Sequence, residues 1–547
     1  MTAPRLASPP RGQGTGGASH RLVPRRGRVA VPSLLSGLLV AASVPPWGQW
    51  WAAFLGLGLL AWLLPRLRAR GRLLAGLLFG IGLFGPTLEW VTSFNAAGYG
   101  ALVLVESGFY VLAFGLVPRD RGREPQGGRR VPRWGWAPAF PAVVTLAQEA
   151  RSVWPFGGFP MGGIALGQAG GPLLAAARVG GPLLVTGLAA MGGVGLAELG
   201  RAGEAWWRAR QGAPGSGRGA AGGGRRRGMG AGHLLSAGLA AAIVAGAVAG
   251  GTVAPDGGPP VGRLRVGLVQ GGGPRGLRAI DVNPAIIYHA QLAATHRLHP
   301  PLGLVLWPED VISLPGPILG SPTARQVGDL ARSLHATLVA GVTELVGATR
   351  FTNKAVAWNP RGRIIGWYEK VHRVPFGEYV PFRSVLKHIV NLSDVPRDAI
   401  PGHGPGLLRT PAGPLGVMIS YEVFFASRAR AAVLAGGQLL VVPTNTSSYA
   451  SDLVPKEEVA ADKLRAVEEG RELVQASPVG YSTVVTRHGA VVRRSRLGPR
   501  QVIEAEVTRR RGLTLYARGG DLPELALAGA LLIVGWVLGG RRERAPG

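Results

Sequence analysis

Three apolar runs in this chain each end in one reactive side chain. Val305-Leu306-Trp307-Pro308-Glu309 delivers a carboxylate, Tyr368-Glu369-Lys370 an ammonium, and Val417-Met418-Ile419-Ser420 a hydroxyl, with Tyr421 and Glu422 directly after it. A nucleophile, a base and a cation make a working set for acyl transfer. Glu309 would take the proton of the Ser420 hydroxyl, and Lys370 would stabilise the oxyanion that forms. A strand ending in Glu or Ser is common and ordinarily structural, so the signal lies in three such ends occurring together. Lys370 strengthens it. Among 60 basic residues the lysines are Lys354, Lys370, Lys387, Lys456 and Lys463 alone. In a chain so biased to arginine, a lysine before the Pro/Gly-shaped loop Val374-Pro375-Phe376-Gly377-Glu378-Tyr379 points to a task for a compact ammonium that a guanidinium cannot do. Taken by itself it reads as a surface lysine in a turn.

The elements that must position these groups read as α/β. Strand-like runs cover Leu264–Val269, Gly303–Trp307, Ala336–Val342, Ala355–Trp358, Arg363–Tyr368, Leu415–Ser420, Gln438–Val442 and Tyr481–Thr486. Helical patterns lie near 284–298, 322–335 and 455–474. The last places Glu457, Glu458, Lys463, Arg465, Glu468, Glu469 and Arg471 on an expected solvated face. Apolar strands that end in single polar residues describe a pocket at a sheet edge.

The rest of the chain is of another kind. Of its 547 residues 47% are hydrophobic and only 16% charged, with 87 glycines, a balance that indicates a membrane protein. Apolar segments fall at about 29–45, 48–64, 73–92, 101–117, 134–150, 181–199, 232–252 and 522–540, each near the length that crosses a hydrocarbon layer of about 30 Å. Alternate loops are rich in arginine: 1–28, 65–72, 118–133, 201–228 and the tail after 540 hold 26, against two (Arg151 and Arg178) in 46–47, 93–100 and 151–180. Positive loops stay cytoplasmic. The expected organisation is a basic disordered N-terminus (1–28), seven transmembrane helices (29–252), an extracytoplasmic α/β domain (262–512), an eighth helix (522–540) and a cytoplasmic tail (541–547). The first apolar run lacks a small-residue cleavage site and is not expected to be a cleaved signal peptide. Gly-rich 213–232 and Gly/Pro-rich 251–262 are expected as flexible connectors.

The net charge of +30 follows this topology and comes with no nucleic-acid motif, so no nucleic-acid partner is expected. The chain has no cysteine, which excludes disulfides, thiolate zinc sites and a cysteine nucleophile. His372 and His403 have no second ligand at metal-like spacing and read as loop residues. The glycine runs at 222–224 and 271–273 lack the lysine of a phosphate loop. Neither metal nor cofactor is expected. Glu89, Glu106 and Glu149 fall in or beside apolar helices, towards their outer ends. Solvation at the interface is the simpler expectation. The alternative sets them beneath the outer domain, near a lipid headgroup or an incoming amine.

These residues resemble the carbon–nitrogen hydrolase (nitrilase) superfamily and, more narrowly, its membrane-embedded branch, the apolipoprotein N-acyltransferases. The resemblance covers nearly the whole chain. It is carried by Val269-Gln270-Gly271, Trp307-Pro308-Glu309, Tyr368-Glu369-Lys370 with the loop to Tyr379, Ser420-Tyr421-Glu422, Thr444-Asn445, Arg465-Ala466-Val467-Glu468-Glu469-Gly470-Arg471 and, among the apolar segments, Gly157-Gly158-Phe159-Pro160-Met161. It implies an eight-helix membrane domain with an αββα nitrilase-like sandwich between helices seven and eight. It also implies transfer of an acyl chain from a phospholipid to the α-amine of the N-terminal diacylglyceryl-cysteine of a lipoprotein, through an acyl-enzyme. Glu309 would then be the base, Lys370 the transition-state stabiliser and position 420 the nucleophile, with Glu378, Tyr421 and Glu422 supporting the pocket.

The chain departs from the family pattern at three places. The usual nucleophile is cysteine, whereas this chain has Ser420, whose hydroxyl is much harder to ionise than a thiol of pKa about 8.5. An aromatic residue often follows the first strand, where this chain has Gly271-Gly272-Gly273-Pro274-Arg275. The family's Asn-Asp pair after the threonine reads Thr444-Asn445-Thr446. An oxygen-nucleophile enzyme is the favoured expectation. A catalytically inactive paralogue that binds lipid or lipoprotein, or a membrane-tethered amidase, are the alternatives.

Overall fold

A computed structural model describes residues 27–118, 135–211, 221–277, 281–388, 392–393 and 395–540. The expected disordered N-terminus (all but its last two residues), nearly all of the Arg-rich loop 118–133 and the expected tail 541–547 lie outside the described residues.

Helices form at each apolar segment. They are α1 (Gly27–Ala41), α2 (Ala52–Leu63), α3 (Ala69–Thr87), α4 (Ala96–Gly115), α5 (Trp136–Val153), α6 (Ala177–Gln211) and α7 (Ala221–Val253), with a last one over Leu522–Gly540. Four spans, Ala96–Gly115, Pro172–Arg208, Ala231–Val253 and Leu522–Gly539, are long and apolar enough to cross a membrane, and α1 and α2 are shorter apolar helices. Small residues let the helices approach: a Cβ added to Gly80 of α3 would stand 2.5 Å from Ser107 of α4. The expected connector 213–232 is in part helical. Residues 212–220 lie outside the described residues, but α7 starts at Ala221, with no proline beyond that point to stop its ladder.

The second half folds into two sheets. The first contains β1 (Pro260–Gln270), β2 (Leu304–Leu306), β3 (Ile312–Leu314), β4 (Thr337–Val346), β5 (Arg350–Trp358), β6 (Ile364–Glu369) and β7 (Asp398–Ala399), joined by the late strand β14 (Gln501–Arg510). Its order is β14-β1-β2-β4-β5-β6, with β3 on β4 and β7 on β5. The second contains β8 (Leu407–Thr410), β9 (Gly413–Val417), β10 (Leu439–Pro443), β11 (Leu473–Ala476), β12 (Thr483–Val485) and β13 (Val491–Arg494), in the order β13-β12-β11-β10-β9-β8. The strand period of two sorts the side chains. Leu304 and Leu306 of β2 face Leu439 and Val441 of β10 across the space between the sheets, while Val305 and Trp307 face outward. The outward face of the first sheet is covered by α8 (Pro284–Thr295) and α9 (Pro322–Ser333), each opened by a capping side chain, Asn283 and Ser321, followed by proline. A short helix α10 (Arg383–Leu386) follows the Lys370 loop. The second sheet is covered by α11 (Ala426–Leu434) and α12 (Leu453–Glu469); α13 (Leu515–Gly519) then leads into α14 (Leu522–Gly540). The result is an α/β/β/α sandwich.

Two expectations need correction here. The first concerns α12. Its expected solvated face does not exist: Glu457, Glu458, Arg465, Glu468 and Glu469 are buried, as is Arg471 beyond its end, with only Lys463 partly open. One side of α12 packs on the second sheet and the other on the apolar helices of the first half, so Leu464 and Val467 share a continuous core with Leu57, Phe84 and Leu188. Secondly, the pattern that ran to 474 ends at Glu469. Gly470, at φ +60, turns the chain, and Leu473–Ala476 pairs with β10 as a strand. Strands β3, β7, β8, β13 and β14 lie outside the runs expected from sequence.

Candidate active site

Each reactive group sits just past a strand, where the ladder stops and the backbone turns. Glu309 follows β2 after Trp307-Pro308. Lys370 follows β6, and its N–H donates to the Asn353 carbonyl at 2.9 Å, a final rung of the β5–β6 pairing. The run that carries Ser420 is strand only to Val417. Ser420 opens a 3-10 turn (Ser420–Phe424) with φ +50, a left-handed conformation that costs a non-glycine residue energy and is common where a side chain is held for chemistry.

The Lys370 ammonium is buried (2% exposed) and donates to Glu309 Oε1 and to Glu378 Oε1, both at 2.8 Å. Asn353 Nδ2 donates to the same two oxygens, at 2.8 and 3.2 Å. Glu378 Oε2 accepts from the Val374 N–H at 2.8 Å, which closes its loop. Burial pushes the Glu309 carboxyl above its ordinary range, against the pull of Lys370. Burial by itself would lower Lys370, but Glu309 and Glu378 outweigh it and hold the ammonium well above its usual value. Lys370 is therefore a fixed cation and Glu309 a carboxylate that takes a proton more readily than one in water. Beside them Asp310, in the left-handed region at φ +54, accepts from Thr343 Oγ1 at 2.7 Å and is pushed by burial up to about 7.

Glu422 fastens the serine turn to the lysine strand end. One oxygen accepts from the Ile419 N–H at 2.9 Å, the residue before Ser420. The other accepts from the Val371 N–H at 2.8 Å, the residue after Lys370, and from the His372 N–H at 3.1 Å. Tyr368 donates its hydroxyl to the same carboxylate at 2.8 Å. A single buried carboxylate thus spans both reactive ends. Ser420 itself is 9% exposed, and its hydroxyl bonds to no described residue.

Next to the site lies a cavity of about 200 Å³ lined by Phe156, Gly157, Gly158, Val371, His372, Arg373, Tyr379, Tyr421 and Phe425, the chain neighbours of Lys370, Glu378 and Ser420 but not those residues themselves. The first three come from the loop after α5. Tyr421 and Tyr379 donate to its carbonyls at Gly158 (3.1 Å) and Phe156 (3.3 Å). His372 stacks on Phe425 at 4.2 Å, and burial together with Arg428 lowers it to about 4. Among the described residues no three His, Cys, Asp or Glu side chains form a group fit for a metal ion.

The six residues singled out in the sequence thus gather at one end of the sandwich. Sequence reasoning missed Asn353. Its signal was the polar Thr352-Asn353-Lys354 opening an otherwise apolar strand, in register with the end of β6. It also missed Glu458, which accepts from Thr444 Oγ1 at 2.6 Å and is pushed by burial up to about 8. Of the three acids near the apolar helices, Glu89 is exposed and Glu149 half-buried. Glu106 is not solvated: it is buried and paired with Arg151 at 2.6 Å, because both lie between α4 and α5 beneath the cavity loop.

A buried carboxylate–lysine pair just past the strand ends of an α/β/β/α sandwich defines a member of the carbon–nitrogen hydrolase class. Comparison with known proteins agrees. Residues 279–513 match the Carbon-nitrogen hydrolase family and residues 36–195 the Apolipoprotein N-acyltransferase N-terminal domain. The apolipoprotein N-acyltransferase of Mycolicibacterium smegmatis is 30% identical over 532 residues, covering 92% of this chain and 84% of that protein. That of Azotobacter vinelandii is 29% identical over 542 residues, covering 94% and 95%. The chain belongs to the apolipoprotein N-acyltransferase family, and it is an acyltransferase.

Proposed function

We propose that this protein moves an acyl chain from a phospholipid to the α-amine of a lipoprotein's N-terminal diacylglyceryl-cysteine, through an ester on Ser420. The observation that carries this reading is the buried Glu309–Lys370 pair, completed by Glu378 and bound through Glu422 to the turn that holds Ser420. Glu309 takes the Ser420 proton as the oxygen attacks the phospholipid ester carbon. Lys370 stabilises the oxyanion. The ester C–O bond breaks, the lysophospholipid leaves as an alkoxide, and Glu309 returns the proton to it. The acceptor amine then attacks the acyl-serine, gives its proton to Glu309, and Ser420 leaves and is reprotonated. Glu378 and Asn353 hold Lys370, and Tyr421 and Glu422 hold the turn.

Serine demands more of its base than cysteine would, and a Glu309 made more basic by burial supplies part of the difference. The arginine asymmetry of the loops supports eight crossings, with both termini cytoplasmic and the catalytic domain, 262–512, outside the cytoplasm between helices seven and eight. The lipid donor then enters from the outer leaflet.

The test is mass spectrometry of lipoprotein N-termini from a deletion strain complemented with the wild-type gene or with Ser420→Ala. N-acylated termini are expected to return with the wild type only. Their return with Ser420→Ala would contradict the serine ester.

A further inference from the structure

We infer that Arg151 and Glu106, inside the helical half of the molecule, are positioning residues for the acyl-transfer centre and act on it through the loop after α5. This rests on the reading of Ser420, Glu309 and Lys370 as that centre. The connection is continuous in hydrogen bonds. Glu106 of α4 binds Arg151 Nε on α5 at 2.6 Å, with both side chains almost fully buried. The guanidinium then donates to two successive loop carbonyls, Pro160 at 3.3 Å and Met161 at 2.5 Å. The Arg151 carbonyl accepts from the Phe159 N–H at 2.7 Å, so the same residue grips the loop by main chain as well. Earlier in the loop, two other carbonyls point outward. Gly158 accepts from the Tyr421 hydroxyl at 3.1 Å and Phe156 from the Tyr379 hydroxyl at 3.3 Å. Tyr421 follows Ser420, and Tyr379 follows Glu378, the second carboxylate on Lys370.

A buried charge pair of this kind is costly to desolvate, and packed apolar residues would hold two helices together at least as well. What apolar residues could not supply is a rigid fork that fixes two carbonyls at once, which is the geometry of a guanidinium. The loop has no slack elsewhere. Gly158 has φ +93, and a Cβ there would overlap the Ser152 carbonyl. Fixing the loop fixes the two tyrosines, and these seat the serine turn and the Glu378 loop from the side that the outer domain leaves open. The family-level chemistry needs only the outer-domain set; this clamp makes the seating of that set depend on the helices.

A double-mutant cycle tests this on the full-length protein in phospholipid nanodiscs, with a diacylglyceryl peptide as acceptor. Arg151→Lys keeps the charge beside Glu106 but loses the fork, and Tyr421→Phe removes the outer end of the same path. Each is expected to lower kcat by about tenfold to a hundredfold with little change in KM for the donor, the cost typical of a small misplacement of reacting groups. If the clamp acts through Tyr421, the double variant falls no further than the worse single one. Effects that multiply would overturn the inference, because a general loss of packing by Arg151→Lys is independent of the phenol. If Arg151→Lys does not fold, Glu106→Gln, which keeps the side chain's shape but removes the charge that holds the guanidinium, takes its place in the cycle and is judged by the same rule. The wild type is first checked for acyl-ester on Ser420. Absence of that ester refutes the proposed centre, whereas its presence with multiplying effects refutes the clamp alone.

Discussion

Lys370 shares its ammonium between two carboxylates at equal distances of 2.8 Å, with Asn353 bracing both. Such a socket admits a point charge. Arginine would keep the charge, but its fork needs more width and a different angle, and would displace Glu309 and Glu378 from their shared contact. Lys370→Arg is therefore expected to fold and to lose about 100-fold or more in kcat/KM, read in a lipid-to-peptide acyl transfer assay. Activity within a few-fold of wild type would mean that only the charge matters. Removing the charge altogether leaves the buried Glu309 and the half-buried Glu378 without their cation, at a stability cost of about 3–5 kcal/mol. The sequence made this residue conspicuous through the scarcity of lysine, and Glu309, Glu378 and Ser420 through their places beyond apolar runs. It gave no sign that Ser420 would take up φ +50, since that conformation is imposed by Glu422 folding back on the Ile419 N–H.

At the scale of elements, α12 shows where pattern reading runs out. Acidic and basic residues along a helix ordinarily mark a wet face. Here both sides are covered, and the helix carries Glu457, Glu458 and Asp462 buried, each pushed by burial up to about 8. Composition cannot show a second covering layer that comes from another part of the chain. The strands were more legible, because alternation survives wherever a sheet separates two cores. The raised carboxyls carry a consequence for stability. Their folded values lie above the unfolded ones, so the folded state keeps protons that the unfolded chain releases near pH 4 to 5. Their contribution is complete below that point, declines as pH rises, and is lost once pH passes about 8. Glu458→Gln, neutral at every pH, is expected to melt higher than wild type at about pH 8 and to lose that advantage towards about pH 5. A melting difference that stays constant across this window would contradict the buried, protonated state of Glu458.

For the whole molecule, the organisation proposed from arginine counts can be read directly, because the chain has no cysteine and any introduced one is unique. Arg361, exposed at the β5–β6 turn, and Arg70, exposed at the start of α3, lie on opposite sides of the membrane in the proposed topology. A membrane-impermeant maleimide applied to intact cells is expected to label Arg361→Cys and not Arg70→Cys; the reverse pattern would invert the molecule.

In the proposed mechanism all of the chemistry passes through a covalent bond at one oxygen, that of Ser420. Purified protein incubated with phospholipid and no amine acceptor, quenched in acid and analysed by intact and peptide mass spectrometry, tests that bond most directly. An added acyl mass on the peptide containing Ser420, absent from Ser420→Ala and discharged by a diacylglyceryl peptide, is the predicted result. A protein that transfers acyl chains to the peptide while its Ser420 stays unmodified at every time point would contradict the account.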